Sequence, residues 1–348
     1  MTGRIATSAL LAVLLACGGS TESPGPKAHD PMGDGGAASS SPSASARGVA
    51  WGKCDPRAGE RQTRQLLATQ YPRLASDRAD GVFVLHRPEF GVSRLDRIMP
   101  GGSLTTVATS GGGLGPIVVD ATHVYWSDYS SVLRTTRAAR ETKPLFPGAA
   151  HEMAVSSTHV YAFIKEGPSS HDEFIALPLQ AGSMQRESIT EGTRGLLADE
   201  SGAYYPDTAW TKLLRRPAGG GPEEIVSALS GRATMAIDDT HVYTLAAGKV
   251  TAISKANGEA KTLASVEGEG DTSPIAVDDT NIYFATHGRC GSIYAISKTG
   301  GEPRLLVAGE PRIDSLAVDK HGVYWGSIIG SDPNMEGVDR SFVMILEN

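Results

Sequence analysis

The sequence predicts an all-β fold, a seven-bladed β-propeller built of four-stranded antiparallel blades. Three observations predict it: a repeat near forty residues, short β-rich segments inside each copy, and a last copy that lacks one strand. The chain has 348 residues, of which 40% are hydrophobic, 41 are Gly and 20 are Pro. That composition is typical of a turn-rich soluble β protein.

Each copy of the repeat has an apolar run, a turn that carries Asp, and a second run of β-branched and aromatic residues, as in 117–128. The position before the first aromatic residue marks seven copies: Val82, Val124, Val160, Ala203, Val242, Ile282 and Val323. Successive markers are 36 to 43 residues apart. A regular period of this length indicates a repeat architecture.

The segments inside each copy are short, rich in Val, Ile, Tyr, Phe and Thr, and separated by Gly, Asp and Asn turns. Helical repeats of similar period would instead need apolar residues at i, i+3, i+4 and i+7. Each period holds four such segments; in the sixth copy the last two are 291–298 and 303–307. Four antiparallel strands per repeat make one propeller blade.

The two ends of the repeat region complement each other. The last copy has two strands within 316–327 and a third at 341–346, but no fourth follows. Segment 61–69 resembles the fourth strands 259–264 and 302–307 of other copies. We therefore expect the N-terminal strand to complete the last blade and close the ring, which leaves no open sheet edge.

The N-terminal segment 1–16 has Arg4 ahead of an apolar run that is too short to span a bilayer, which indicates a signal peptide. The run ends in Leu14-Leu15-Ala16-Cys17, which resembles the bacterial lipobox. The resemblance implies cleavage before Cys17, lipidation of its thiol and, because no Asp follows Cys17, an outer-membrane location. An ordinary secretory signal is the alternative.

Residues 17–50 are almost entirely Gly, Ser, Pro and Ala, with scattered charges. Such a segment buries too little apolar surface to offset its chain entropy, so we expect a disordered tether. The propeller domain is then 51–348. Cys54 and Cys290 form an even pair in an exported protein, which favours a disulfide. Their expected positions on opposite faces of the ring oppose it, and two separate thiols are the alternative.

In six copies the turn after the first strand carries a carboxylate: Asp77, Asp120, Asp199, Asp238, Asp278 and Asp319. In the third copy Ser156 takes this position. A ring of carboxylates that binds calcium is one interpretation. Asp also accepts hydrogen bonds from backbone N–H groups two residues on and caps tight turns, and we expect this role. His123, His159 and His241 share one repeat position and are expected to be turn residues.

The sequence contains no motif of an enzyme active site. It lacks His-Glu-x-x-His, Cys-x-x-Cys, Gly-x-Ser-x-Gly and a phosphate-binding loop. We therefore predict no metal and no cofactor. A net charge of −7 and a pI near 5.7 also argue against a nucleic-acid partner.

What remains is the usual propeller site, the face where the chain enters each innermost strand. Polar side chains expected near this rim are candidates for ligand or protein binding: Arg73, His151, Glu152, Arg194, Arg232, Arg312 and Asp314. The two longest loops on the same side are 165–173 and 328–340. Solvated loop charge without a ligand is the alternative.

The motif Tyr-Trp-Ser-Asp at 125–128, with related sequences at 204–207, 283–286 and 324–327, resembles the repeats of YWTD/TolB-like propellers. The resemblance covers roughly 60–348 and implies that the aromatic motif lies in the second strand and packs between blades. YWTD rings have six blades, whereas this sequence has seven copies. Catalytic residues of lyase-like or lactonase-like propellers have no counterpart that can be placed here.

Two functions follow from these expectations. The first is a non-enzymatic, monomeric binding or scaffolding lipoprotein at the bacterial outer membrane, with an unknown protein or small-molecule ligand. The alternative is a lyase or hydrolase that acts in the central funnel, which convergent carboxylates or His at one channel mouth would favour. A structural subunit of an envelope complex is a third hypothesis, which an apolar exposed patch would favour.

Overall fold

The structure is a computed structural model that describes residues 63–76, 81–89, 91–99, 101–138, 141–165, 172–189, 193–221, 223–266, 273–286, 290–329 and 340–347. The chain divides into two compact units, and all of these residues lie in the second, Val49–Asn348. All regular secondary structure in these ranges is β-strand, so the predicted all-β class is confirmed. No helix within the described ranges is long and apolar enough to cross a membrane.

The strands follow one another along the chain in antiparallel groups of four. The first three groups are β1 (Thr63–Ser76), β2 (Val82–Glu89), β3 (Val92–Ile98), β4 (Leu104–Ser110); β5 (Ile117–Val119), β6 (His123–Ser127), β7 (Ser131–Thr136), β8 (Thr142–Pro147); and β9 (Ala149–Val155), β10 (His159–Lys165), β11 (Asp172–Pro178), β12 (Gln185–Ser188).

The later groups are β13 (Leu197–Asp199), β14 (Gly202–Pro206), β15 (Lys212–Pro217), β16 (Glu224–Ala228); β17 (Thr234–Ile237), β18 (His241–Ala246), β19 (Lys249–Ser254), β20 (Ala260–Ser265); β21 (Ile275–Val277), β22 (Asn281–Ala285), β23 (Gly291–Ser297), β24 (Arg304–Glu310); and β25 (Arg312–Asp319), β26 (Gly322–Ile329), β27 (Arg340–Glu347). Strands β5 to β24 form five four-stranded sheets in which hydrogen-bonded neighbours are consecutive in the chain.

The remaining strands form one seven-stranded sheet in the order β25-β26-β27-β1-β2-β3-β4. The N-terminal half of β1 pairs with β27, from Thr63↔Leu346 to Thr69↔Ser341. Its C-terminal half pairs with β2, from Arg73↔Leu85 to Ser76↔Val82. The predicted pairing of segment 61–69 with the last copy is thus confirmed for the residues from Thr63 onward. In addition, the closing strand continues without a break into the first strand of the first copy.

The first strands of the seven copies, here called the inner strands, are β1, β5, β9, β13, β17, β21 and β25. Each contacts the next in this order, and β25 contacts β1. The sheets are therefore arranged in a propeller-like way.

The hydrophobic core lies between neighbouring sheets. The aromatic residues of the second strands fill it, and Trp126 and Trp325 are fully buried. Packing of these aromatic residues between neighbouring sheets is what the resemblance to YWTD/TolB-like repeats implied.

Candidate functional site

The inner strands have two chemically different ends. At their N-terminal ends lie the residues predicted for a binding rim, and because four of the seven are Arg we call this the arginine end. At their C-terminal ends lie the turns to the second strands, which carry the repeated Asp, and we call this the turn end.

The seven predicted rim residues all map to the arginine end but do not form one cluster. Arg312 Nε donates to Asp314 Oδ1 at 2.7 Å on β25, so these two side chains satisfy each other. The side chain of Arg232, just before β17, has no hydrogen bond or ion pair to another residue in the described part of the chain. The other four residues converge around β9.

Glu152 is the centre of this convergence. Its carboxylate accepts hydrogen bonds from the backbone N–H groups of Gly195 and Leu196, at the start of the neighbouring sheet. Burial raises the pKa of Glu152 above its usual value, and the positive charges of Arg194 and Arg73 only partly offset this effect. Gly195 has φ +79°, a conformation that favours glycine. Glu152 therefore holds β9 to the next sheet.

His151 is placed beside Glu152 by a β-bulge. Glu152 pairs with Phe163 and Ala150 pairs with Ile164, which leaves His151 unpaired in the ladder. Burial and the charge of Arg194 lower the pKa of the imidazole. Its Nε2 is 3.8 Å from Asp172 Oδ2, which is beyond hydrogen-bond distance.

Two exposed aromatic residues lie at the same end and were not predicted from the sequence. Tyr71, in the irregular part of β1, is 41% exposed, and Tyr129, in the β6–β7 loop, is 59% exposed. Both have positive φ, 48° and 71°, which costs a non-glycine residue roughly 1 kcal/mol. Tyr129 lies outside the apolar pattern of its copy, and this position is the one feature of the sequence that could have indicated its exposure.

The turn end is regular. Asp120 Oδ1 accepts the N–H groups of Thr122 at 2.6 Å and His123 at 2.7 Å, and its Oδ2 accepts the hydroxyl of Tyr125 at 2.8 Å. Asp238 and Asp278 make the same three kinds of bond. The prediction that these Asp residues cap turns is confirmed.

Two Asp residues of the turn end form ion pairs with lysines of the following sheet. Lys298 Nζ lies 2.8 Å from Asp238 Oδ2, and Lys255 Nζ contacts Asp199 Oδ2. Burial opposes ionisation of Asp238, but the bonds from Lys298 and from the turn outweigh it and hold its pKa well below the usual value. These ion pairs join neighbouring sheets.

A cavity of about 640 Å³ lies at the turn end. The turns after β5, β9, β13 and β17 line it, and five carboxylates contribute to the wall: Asp120, Asp199, Glu200, Asp238 and Asp239. None of the predicted rim residues lines it. The sequence located the candidate site at the opposite end; its only signal for this one was the adjacent acids 199–200 and 238–239.

The third copy departs from the repeat at this cavity. Ser156 replaces the turn Asp, and Tyr161, which corresponds to Tyr125, has a buried hydroxyl with no hydrogen-bond partner among the residues described. Burial and the charges of Asp199 and Glu200 raise the pKa of Tyr161 to about 12. The hydroxyl is thus within electrostatic range of these two carboxylates, although Tyr161 itself does not line the cavity.

A polar network is buried in the seven-stranded sheet. His86 Nε2 lies 2.8 Å from Asp96 Oδ2, and His86 Nδ1 lies 2.5 Å from Thr69 Oγ1 on β1. Arg94 Nε donates to the same Asp96 oxygen at 2.8 Å. His86 and Asp96 are fully buried, so this network ties β1 to β2 and β3 rather than meeting a ligand.

Within the described ranges, no group of three or more His, Cys, Asp or Glu is placed to hold a metal ion. Cys290 is disulfide-bonded, and both other cysteines of the chain, Cys17 and Cys54, lie outside the described residues. The pairing of Cys54 with Cys290 therefore stays a prediction.

No protein-family model matches the chain, and no curated protein matches it. The solved structures that resemble its fold include two of the extracellular domain of BT4673 from B. thetaiotaomicron. One describes the protein as a putative hybrid two component system and the other as a putative one component system. The first has a TM-score of 0.57 and 13% identity over 81% of this chain and 39% of that chain.

The second has a TM-score of 0.56 and 12% identity over 81% of this chain and 40% of that chain. The match thus spans about two fifths of the length of either neighbour. At these identities the likeness shows an all-β repeat fold and nothing finer.

Proposed function

We propose that this chain is an exported, non-enzymatic binding lipoprotein, a seven-bladed propeller that binds acidic partner proteins at its arginine end. The closed cycle of contacts among seven inner strands supports the blade count, and the double pairing of β1 supports ring closure. The resemblance of 14–17 to a lipobox supports an anchor on Cys17 at the outer membrane. The extracellular location of the neighbours' matched domain agrees with export.

The observation that carries the binding role is a set of exposed Arg side chains that form no ion pair within the described ranges, although the charges of Arg73 and Arg194 act on Glu152. Arg73, Arg194 and Arg232 are exposed, and none forms an ion pair with another described residue. Tyr71 and Tyr129 add two exposed aromatic rings at the same end. Tyr and Arg are the side chains that dominate the binding energy of protein interfaces, and unpaired Arg favours a partner rich in carboxylates.

The test is site-specific photo-crosslinking in cells that express the full chain. A benzoylphenylalanine replaces Tyr129 or Arg194 at the arginine end, and Arg304, exposed on an outer strand, is the matched control position. We expect one defined protein adduct from the first two positions and none from the third. The adduct should disappear when Arg73 and Arg232 are changed to Glu. Adducts that are equal at all three positions, or insensitive to charge reversal, would contradict the proposal.

The anchor is tested separately by Cys17→Ser. We expect the wild-type chain to incorporate labelled fatty acid and to fractionate with outer membranes, and the variant to be released without label. A wild-type chain without label would show that segment 1–16 is an ordinary secretory signal. That result would leave the arginine-end proposal intact.

One observation favours the alternative, a lyase or hydrolase. His151 and Glu152 are adjacent, and their environments shift the two pKa values in opposite directions, as in acid–base pairs. Against it, the Glu152 carboxylate already accepts two backbone N–H groups. An activity that Glu152→Gln abolishes, while crosslinking at Arg194 persists, would establish the alternative.

A further inference from the structure

Five residues occupy one equivalent position in five sheets, just after the third strand. In each, the backbone N–H donates to a carbonyl in the first turn of the same sheet: Arg137 to Thr122, Leu179 to Thr158, Ala218 to Ser201, Lys255 to Thr240 and Lys298 to Thr280. The shared bond fixes the same backbone location in every sheet. Differences among the five side chains can therefore be compared directly.

Two of the five show what an ammonium group does at this position. Lys255 and Lys298 each reach the turn Asp of the preceding sheet, Asp199 and Asp238. Lys255 Nζ also donates to the backbone carbonyl of Asp238 at 2.7 Å and lies 5.9 Å from the ring centroid of Tyr204. The fold thus contains a repeated binding position for a primary ammonium between neighbouring sheets.

The sheet pair β9–β12 and β13–β16 lacks that ammonium, because the equivalent residue is Ala218. The groups that would surround it are nevertheless polar. By equivalence with the next sheet pair, they are the hydroxyls of Ser156 and Tyr161 and the backbone carbonyl of Asp199, with Glu200 alongside. The Glu200 carboxylate also accepts the backbone N–H of Ser157 at 2.9 Å and the Ser157 hydroxyl at 2.5 Å. The Tyr161 hydroxyl is buried and has no partner among the described residues.

The preceding sheet pair lacks the ammonium as well. There the equivalent residue is Leu179, and Asp120 forms no ion pair within the described part of the chain. Leu179 and Asp120, like Ser156 and Glu200, line the 640 Å³ cavity. Both sheet pairs without a lysine therefore open onto the same space.

The charge of the cavity agrees with this placement. Five carboxylates line it, and four cations of the described residues lie near them. Arg134 is in the wall, Lys255 and Lys298 act through their ion pairs, and Arg137 Nη1 donates to the carbonyl of the lining residue Ala121 at 3.2 Å. The carboxylates outnumber these cations by one. A volume of 640 Å³ lies within the range of small-molecule sites.

We propose that this cavity binds a ligand that carries primary ammonium groups. One ammonium takes, beside Ser156, Tyr161 and Glu200, the position that Lys255 Nζ takes in the next sheet pair. A second ammonium on the same ligand reaches Asp120. A primary ammonium has three donors and no acceptor, which matches a wall of hydroxyl, carbonyl and carboxylate oxygens. This site is separate from the arginine end and does not depend on its function.

The experiment is calorimetric titration of the purified full chain with 1,5-diaminopentane, with 1,5-pentanediol as the uncharged control. Ala218→Lys provides an attached ammonium that competes with the ligand, and Ala218→Gln is its neutral match. We expect saturable binding of the diamine but not of the diol, with affinity about tenfold weaker in Ala218→Lys and unchanged in Ala218→Gln. No saturable binding to the wild type, or equal loss in both variants, would overturn the proposal.

Tyr161→Phe keeps the test decisive if Ala218→Lys fails to fold. This change removes a buried hydroxyl that has no partner among the described residues, so stability should be unchanged or higher. We expect the diamine affinity to fall several-fold while the melting temperature does not fall. Unaltered affinity in Tyr161→Phe and in Asp120→Asn would show general charge attraction and would overturn the assigned site.

Discussion

The two ends of the inner strands differ in how far they follow the repeat. At the turn end, Asp120, Asp238 and Asp278 make the same bonds in three sheets. At the arginine end, equivalent positions carry unlike residues, namely Arg73, Glu152 and Ser315. They are equivalent because each pairs with the third residue after the position that marks its copy, Val82, Val160 or Val323. A repeated bond indicates a structural requirement, whereas a position that varies among copies is free to acquire a binding role.

The third copy departs from the repeat at both the turn end and the arginine end. Its turn end breaks the repeat at Ser156 and Tyr161, and its inner strand breaks the ladder at His151. Departures from a local rule concentrate at functional or strained sites. This sheet therefore carries a departure at each end.

Asp238→Ala should produce the largest effect on the turn end. It leaves the Lys298 ammonium, the Tyr243 hydroxyl and two backbone N–H groups without their acceptor. We expect the free energy of unfolding to fall by about 3 kcal/mol in denaturant titrations. Asp239→Ala, at the adjacent exposed residue, is the matched control and should change it by less than about 0.5 kcal/mol.

The same variant has a defined pH dependence. The pKa of Asp238 in the folded chain is below its ordinary value of 3.8. Its contribution to stability is therefore present above that pH and is lost as the pH falls through the lower folded value. The difference in stability between wild type and Asp238→Ala should therefore shrink in acid. A difference that stays constant from pH 7 to pH 2 would show that the carboxylate charge is not responsible.

Restoring the repeat in the third copy should produce a smaller, stabilising effect. Ser156→Asp gives Tyr161 an acceptor, and Ala218→Lys gives the new carboxylate a cation. In a double-mutant cycle we expect a favourable coupling of about 1 kcal/mol. Additive single effects would indicate that the equivalence between this sheet pair and the Lys255–Asp199 pair does not extend to the side chains.

Glu152→Gln tests the arginine end through pH. Burial raises the folded pKa of Glu152 above its ordinary value of 4.5. The favourable contribution of the protonated group to stability is therefore full below that value and is lost as the pH rises through the folded pKa. Gln keeps an oxygen for the backbone N–H groups without the charge. We expect equal melting temperatures near pH 4 and an advantage for the variant on the order of 1 kcal/mol at pH 8. A variant that is less stable at pH 8 would contradict this account.

The smallest effect is expected for the exposed arginines. Changing Arg194 and Arg232 to Ser should alter the free energy of unfolding by less than about 0.5 kcal/mol, because neither forms an ion pair among the described residues. Loss of the photo-crosslinked adduct in the same variant would then report binding alone. A large loss of stability would reassign these side chains to a structural role.

Much of the fold was predictable because the repeat samples the same local pattern seven times. The alternation of apolar and polar residues identifies strands, and the Asp before each second strand identifies the turn cap. The pairing of 63–69 with the last copy followed from counting strands. The continuation of that strand into the first copy did not follow, because a count of strands does not show whether two consecutive strands are continuous. In the structure the register between Gln70 and Arg73 is irregular.

The sites were less predictable, because they depend on groups from different copies. The rim residues were identified one by one, but only the structure places Arg194 and Glu152 together and pairs Arg312 with Asp314. The cavity is formed by turns of several sheets, and the His86 network joins three strands. No local sequence pattern predicts such contacts between residues of different copies or strands.

The sequence by itself determined the all-β class, the period of the repeat, the turn chemistry and the pairing of the N-terminal strand. All of these rest on interactions between residues near in the chain, or on a count of strands. The tertiary structure alone decided which sheet boundaries lack a lysine ammonium and which oxygens lie around those positions. That outcome depends on distances between sheets, which local periodicity does not encode.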